Sequence, residues 1–348
     1  MNSQSKMSFS SNIFLIAFIA LFILVILIFI FSDNPFETLY FFFIGPFRNV
    51  FAFGNMINDS VPLIIGALGV IIAMKTGNLN LGGEGQVYLG AFVTTAASLA
   101  FSDMFSGYFF GVTGTAIAVM LGAICSGLLA AISGFCKAMW NTNELITTFL
   151  LSCAVIPIVN FLVTGHFLDT ETSLISTRKI SEIMRLPLIF KPSSLSTGIF
   201  IAFVFVILMH LFLIRTKLGF EFRMAGHNEL FARYAGINTK LNTVIAMALS
   251  GCLYGFAGSI SILGTYYAVI KEFSSGLGWN GLAVALIARF YPPAVIPAAL
   301  FLAWLGIGAR ISMQNTGLST EVASIVQAVI LFFCTSVILQ NIFSRKKS

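Results

Sequence analysis

The chain has 348 residues, 58% of them hydrophobic and only 9% charged, with a mean hydropathy of +0.96, which excludes a water-soluble globular domain and fits a polytopic membrane protein. Its net charge of +6 does not mark a nucleic-acid binder, because the basic residues are scattered over short loops and the C-terminal Arg345, Lys346 and Lys347, with no basic face carrying interleaved aromatics. The five cysteines, Cys125, Cys136, Cys153, Cys252 and Cys334, lie in or beside apolar runs without a C-x-x-C pair or a Cys/His cluster, and read as small buried hydrophobes in a fold without disulfides.

A membrane-spanning helix needs about 20 apolar residues. On that yardstick the sequence predicts an all-α protein of about ten transmembrane segments, with approximate cores at 12–32, 60–74, 86–102, 108–134, 144–165, 197–214, 241–264, 279–290, 292–309 and 322–342. The first follows a single Lys6 and ends in "FSDNP", which offers no small-residue cleavage site, so it reads as a retained helix rather than a signal peptide. The second, third and eighth are shorter than a normal span. Short helices with Gly interruptions are tolerated only where protein or a water-filled cavity satisfies the freed backbone groups.

Between the second and third segments stands "TGNLNLGGEGQ", Thr76 to Gln86, with a lone carboxylate, Glu84. An unpaired charge at mid-bilayer costs about 2.5–3.5 kcal/mol on insertion scales, so Glu84 should be partnered, protonated or close to the surface. Two roles are open for it. Together with Asn78, Asn80 and Gln86 it would accept hydrogen bonds from a passing solute, or it would hold the break in shape by bonding the amides of the Gly82–Gly85 turn. The second role is favoured, since a glycine-rich break must satisfy its own N–H groups first.

Further along, Asn143 and Glu144 open the fifth segment as cap and dipole partner. The loop 215–240 is too long for a tight turn. Asn228 is a good N-cap, Glu229 sits where the positive helix end favours an anion, and Gly236 supplies a stop. Between them "ELFARYA" predicts about two helical turns, with Leu230, Phe231 and Tyr234 as apolar docking candidates and Arg233 beside them. Such a helix suits another protein's groove or the lipid headgroups. Gly251 and Gly255, four apart on one helix face, permit close packing. A second glycine-rich break, "KEFSSGLGWNG", runs from Lys271 to Gly281. Its Trp279 and Asn280 are candidates to stack on or hydrogen-bond a ring-bearing solute, beside plain aromatic packing at an interface. His166 and His210 have no evident partners and take no role.

Orientation follows Lys and Arg. With a cytoplasmic N-terminus, Lys75, Lys137, the basic residues of 215–240 and the C-terminal run fall inside, while the loop 166–196 balances its cations with Asp169, Glu171 and Glu182. Both termini inside is the preferred topology. Cut near residue 180, the chain has five predicted helices in each half, of opposite orientation, with the two breaks at corresponding places. This pattern fits a 5+5 inverted repeat around a transport pathway, beside the plainer reading that any ten-helix chain can be cut into halves and short glycine-rich loops are common.

"RMAGHNELFARYAGIN", Arg223 to Asn238, resembles the R-A-x-G-x-N-x-x-A-A-x-Y-A-G-I segment of the permease subunits of bacterial ABC importers in the nucleoside and simple-sugar group. "TGNLNLGGEGQVYLGAF" is similar to that family's G-x-x-N-I-G-x-E-G-Q-x-x-x-G-A, "NELITTFLLS" to its N-E-V-I-x-T-x-x-L-N, "ALSGCLYGFAGSI" to its S-G-x-x-A-G-x-A-G, and "WNGLAVALIARFYP" to its block after the second break. These matches run in the family's order from about residue 60 to 310. Departures are Phe231, in place of the first alanine of the A-A pair beside Ala232, and Leu79 and Leu81 in place of Phe and Ile. They bear on the solute, because permeases for ribose-like sugars and branched-chain amino acids share the architecture.

The resemblance implies a single transmembrane permease domain over 1–348, multi-pass in the bacterial inner membrane, with 215–240 as its cytoplasmic coupling loop. It implies docking on an ABC ATP-binding subunit through Arg223, Gly226, Asn228, Glu229, Phe231, Ala232, Arg233, Tyr234 and Gly236. It also implies a solute path past Asn78, Asn80, Glu84, Gln86, Trp279 and Asn280, a second permease subunit forming a homo- or heterodimer, a solute-binding protein or lipoprotein, and a surround of membrane lipid, with no nucleic acid. The chain has no G-x-x-x-x-G-K-[ST] loop, no H-E-x-x-H and no nucleophile placed beside a His by any motif. No catalytic residue, metal ligand or cofactor is therefore expected in it, and ATP and Mg would be bound by the partner ATPase. The alternatives are a branched-chain amino acid permease of the same kind, an ion-coupled secondary transporter and, with the least support, an intramembrane enzyme.

Overall fold

A computed structural model describes residues 28–102, 108–274 and 276–317, with isolated positions at 22, 25, 26, 325 and 328. The segments expected at 12–32 and 322–342, and Cys334, lie largely outside the described residues. Among the described residues all regular elements are helical: α1 Pro35–Phe43, α2 Gly45–Arg48, α3 Val50–Lys75, α4 Gly83–Ser102, α5 Tyr108–Trp140, α6 Glu144–Thr164, α7 Gly198–Arg215, α8 Lys217–His227, α9 Glu229–Tyr234, α10 Thr239–Ser261, α11 Leu277–Ile287 and α12 Val295–Thr316. A π turn, Ile262–Tyr266, extends α10. Among the described residues six helices are long and apolar enough to cross a membrane: α3, α5, α6, α7, α10 with its π turn, and α12 with the 3-10 turn before it.

Two expectations change. The second segment is not short, because α3 runs 26 residues from Val50 to Lys75. Its polar "NDS" interrupts the apolar count, yet Asn58 is buried and satisfied: it donates to Thr265 Oγ1 (2.8 Å) and its Oδ1 accepts from Ser196. The loop 215–240 also holds two helices, not one. Thr216 caps α8 by accepting the Gly219 amide at 3.0 Å, and Phe222 on α8 is fully buried with its ring 5.8 Å from that of Phe212.

The chain divides into two compact units, one from Asn58 to Ala299, the other from the described parts before and after it. In the larger unit α10 is the central element, packed on α5 and α4. Small residues allow this: a Cβ on Gly90 would lie 2.4 Å from the Gly255 Cα, and one on Gly251 would lie 2.4 Å from the Ser126 carbonyl oxygen. Helix backbones approach that closely only where side chains are absent. Tyr88, Ile262, Leu263 and Ile180 fill the core beside this contact.

The loop after α6 is tied down by backbone hydrogen bonds, with Thr177, Ile180 and Leu186 donating to the carbonyls of Val269, Tyr267 and Leu263. In the smaller unit Met56, Ala303 and Ile307 form a core. There Trp304 Nε1 donates to the Phe43 carbonyl (3.1 Å) and Ser312 Oγ to that of Thr38 (3.1 Å). These bonds hold α1 against α12; α1 lies in the stretch 33–59, where the sequence placed no membrane segment.

Candidate functional site

The first break opens where α3 ends at Lys75 and closes where α4 begins at Gly83. Gly77 takes φ +77°, a left-handed turn that glycine adopts without strain. The groups freed by the interruption are met by buried side chains. Asn78 donates to Thr76 Oγ1 (2.7 Å). Asn80 donates to Gln86 Oε1 (2.8 Å) and Ser250 Oγ (3.0 Å), and its own oxygen accepts the Gly82 amide (2.9 Å). Ser152 and Thr148 of α6 accept the amides of Gly85 (2.7 Å) and Leu81 (3.1 Å). Asn78, Asn80 and Gln86 are buried and bonded within the protein.

Glu84 does not bond the turn it belongs to. Its Oε1 accepts the Gly276 amide at 3.0 Å and its Oε2 the Gly278 amide at 2.9 Å, so the carboxylate of the first break caps the first turn of α11, the helix that follows the second. The expected structural role therefore needs different amides, since those of Gly82 and Gly85 are already taken by Asn80 and Ser152. The choice is sound electrostatically: an anion at a helix N-terminus meets unpaired N–H groups and the positive end of the helix dipole. Close approach is needed too, because a Cβ on Gly278 would lie 2.3 Å from the Glu84 nitrogen.

One helical turn on, Tyr88 reaches the upstream side of the same break. Its hydroxyl accepts the Glu272 amide (3.2 Å) and donates to Asn160 Oδ1 (2.7 Å). The segment so held carries three left-handed residues, Tyr267, Glu272 and Gly276, two of which have a Cβ and are strained there. Tyr254, fully buried, donates to the Gly278 carbonyl (3.4 Å). Trp279 is half exposed with its ring 6.4 Å from that of Phe149, and Asn280 is partly buried. Tyr88, Ser152, Ser250 and Tyr254 were not foreseen. The i, i+4 spacing of Glu84 and Tyr88 on one helix face was the available signal.

At the other end of the first break stands the 215–240 segment. Gly226, at the end of α8, packs so tightly that a Cβ there would lie 2.4 Å from the Lys75 carbonyl oxygen and 3.1 Å from the Gly77 nitrogen. Asn228 caps α9 by accepting the Phe231 amide (3.0 Å). Glu229 pairs with Arg233 (2.5 Å), whose Nε donates to Thr239 Oγ1 (3.0 Å). Ala232 faces inward, fully buried, while Leu230, Phe231 and Tyr234 face out, Tyr234 with 91% of its surface exposed. Gly236 ends the helix at φ +78°. Arg223 has a buried Nε without a hydrogen-bond partner. A polar cavity of about 610 Å³, lined by Thr76, Asn78, Lys137, Glu229, Arg233 and Thr243 among others, separates the break from α9. Glu144, expected only to compensate a helix dipole, is bonded at 2.8 Å to Lys137, one of the residues lining this cavity. Among the described residues no group of three or more His, Cys, Asp or Glu side chains is placed to hold a metal.

These features define a multi-pass, all-helical membrane protein with two polar interruptions tied to each other. Residues 52–335 match the family described as the permease component of the branched-chain amino acid transport system, and the chain belongs to that family of membrane permease subunits. It is 30% identical to the probable riboflavin import permease RfuC of Treponema pallidum, across 88% of this chain and 80% of that protein. It is 31% identical to the guanosine ABC transporter permease NupP of Bacillus subtilis (84% and 83%). With the nucleoside ABC transporter permease NupB of Lactococcus lactis the identity is 29% (87% and 84%).

Proposed function

We infer that the chain is the membrane permease subunit of a binding-protein-dependent ABC importer, moving nucleosides or simple sugars with ATP and Mg bound by a separate subunit. The observation that carries this reading is the contact of Gly226 with Lys75 and Gly77. It puts an exposed docking helix, α9, one short helix away from the first break, so a push on Leu230, Phe231 and Tyr234 is delivered to the solute path through packed backbone rather than through a flexible loop. The relatives named for guanosine, nucleosides and riboflavin favour a solute with a ring and hydroxyl-bearing chain or sugar over an aliphatic amino acid.

On this reading 1–348 is one permease domain in the inner membrane, with ten crossings as a 5+5 inverted repeat and both termini in the cytoplasm. Segment 215–240 docks the ATPase, and the molecule works as a dimer of permeases served by a solute-binding protein. Asn78, Asn80 and Gln86 shape the path from behind, Glu84 ties its two breaks, and Trp279 and Asn280 border it.

Uptake into proteoliposomes containing the permease pair and its ATPase, with the binding protein outside, tests this directly. ATP-dependent accumulation of labelled guanosine or ribose is expected. Accumulation of leucine alone would replace the solute assignment, and uptake that needs a proton or sodium gradient but no ATP would replace the whole reading.

A further inference from the structure

Beside α5 and α7 the protein leaves a groove of about 1100 Å³ that the transport reading does not use. Val112, Ala116 and Met120 of α5 form one wall, Ile201 of α7 another, and Ile260 and Leu263 the floor; the loop from Glu182 to Lys191 closes its top. Both walls belong to helices long and apolar enough to span a membrane. Val112 is in the first turns of α5 and Ile201 in the first turn of α7, so the slot starts at one membrane face, and the stretch from Val112 to Met120 carries it about 12 Å into the hydrocarbon.

The top of the groove has a different chemistry. Arg185 is fixed there: its Nε donates to the Ile180 carbonyl (2.9 Å), its guanidinium lies 4.7 Å from the Tyr267 ring centroid, and Glu182 is 3.7 Å away. An Arg stacked on a Tyr is the amphipathic pairing found at the headgroup level of a bilayer. Lys191, also lining the groove, is exposed and has no hydrogen-bond or ion-pair partner among the described residues. The rim thus carries two cations against one acid, above walls that offer water few partners.

We propose that this groove is a binding site for an anionic phospholipid, one acyl chain lying against Ala116, Met120 and Ile201 and the headgroup phosphate held by Lys191 and Arg185. The hydroxyl of Thr115 in the α5 wall is taken up by the Gly111 and Met184 carbonyls, so the slot below the rim holds water poorly and takes hydrocarbon from the surrounding bilayer, and the basic rim selects which lipid supplies it. Charge argues against a second copy of the chain as the occupant. A two-fold contact through this groove would set the same basic rim against itself.

Native mass spectrometry of the full chain, released from nanodiscs of mixed phosphatidylglycerol and phosphatidylcholine, tests the assignment. The wild type is expected to retain phosphatidylglycerol preferentially. Lys191→Gln should lower that preference about fivefold, the effect of losing one cation near an anionic surface, and leave phosphatidylcholine retention unchanged. Ala116→Trp, which fills the slot, should reduce retention of both lipids. A photo-crosslinking side chain at Ile201 gives a reading that does not depend on the folding of that variant: it should label lipid. Equal retention of the two lipids by wild type and Lys191→Gln, unchanged retention in Ala116→Trp, or crosslinks from position 201 to a second copy of the chain would each overturn the proposal.

Discussion

The carboxylate of Glu84 accepts the amide of Gly278 at 2.9 Å across 194 residues of sequence. Removing this part-buried acceptor takes the partner from two amides, a loss of up to about 1–3 kcal/mol per group. Glu84→Ala should therefore unfold at clearly lower temperature and transport poorly. Glu84→Gln keeps one accepting oxygen and should fall between it and the wild type. Thermal unfolding in detergent, read beside uptake, checks the order; equal stability of all three would show the bond to be dispensable.

Gly226 leaves no room for a side chain against Lys75. Gly226→Ala should shift α8 away from the first break, leaving basal ATPase activity of the assembled complex intact while cutting its stimulation by solute-loaded binding protein. The split between basal and stimulated rates is the measurement, and unchanged stimulation would remove α8 from the transmission path.

The Phe231 side chain is exposed, whereas Ala232 beside it is completely buried. Phe231→Asp should change stability by less than about 0.5 kcal/mol and still abolish co-purification of the ATP-binding subunit. Ala232→Asp should destabilise the loop itself. Pull-down of the ATPase, together with thermal unfolding, separates the two outcomes.

A Cβ on Gly255 would lie 2.7 Å from the Ser126 Oγ and 2.9 Å from the Gly122 carbonyl oxygen, both on α5. Gly255→Val overfills that junction, and a cost of about 1–3 kcal/mol is expected. Lower thermal stability and lower yield in the membrane would be seen, while Gly236→Ala, with open space around it, should affect only the α9 terminus.

Much of this was legible where one local signal suffices. Asn228, Glu229 and Gly236 marked α9 because capping and helix termination are chemistry of adjacent residues, and Gly251 and Gly255 marked a packing face by spacing alone. The two breaks were visible as glycine-rich interruptions of apolar runs. What could not be read was pairing at long range. The amides that Glu84 would bond are set by how α4 lies against α11, and the nearest glycine amides were the natural but incorrect choice. Helix α3 extended past its apolar core because Asn58 finds Thr265 and Ser196, partners far off in the chain. Helix α8 was hidden by Gly219, a poor helix former in isolation, which here meets the Thr216 cap and lets α8 fold back on α7: a Cβ on it would lie 2.1 Å from the Phe212 carbonyl oxygen.

The cross-cap also constrains how the protein is made. At a synthesis rate of about 5–20 residues per second, the 194 residues separating Glu84 from Gly278 take roughly 10 to 40 s to emerge. Throughout that interval the carboxylate is already made and its two amides do not yet exist. Until the second half arrives, the acid must stay near water or carry a proton, because a lone charge in the bilayer is costly.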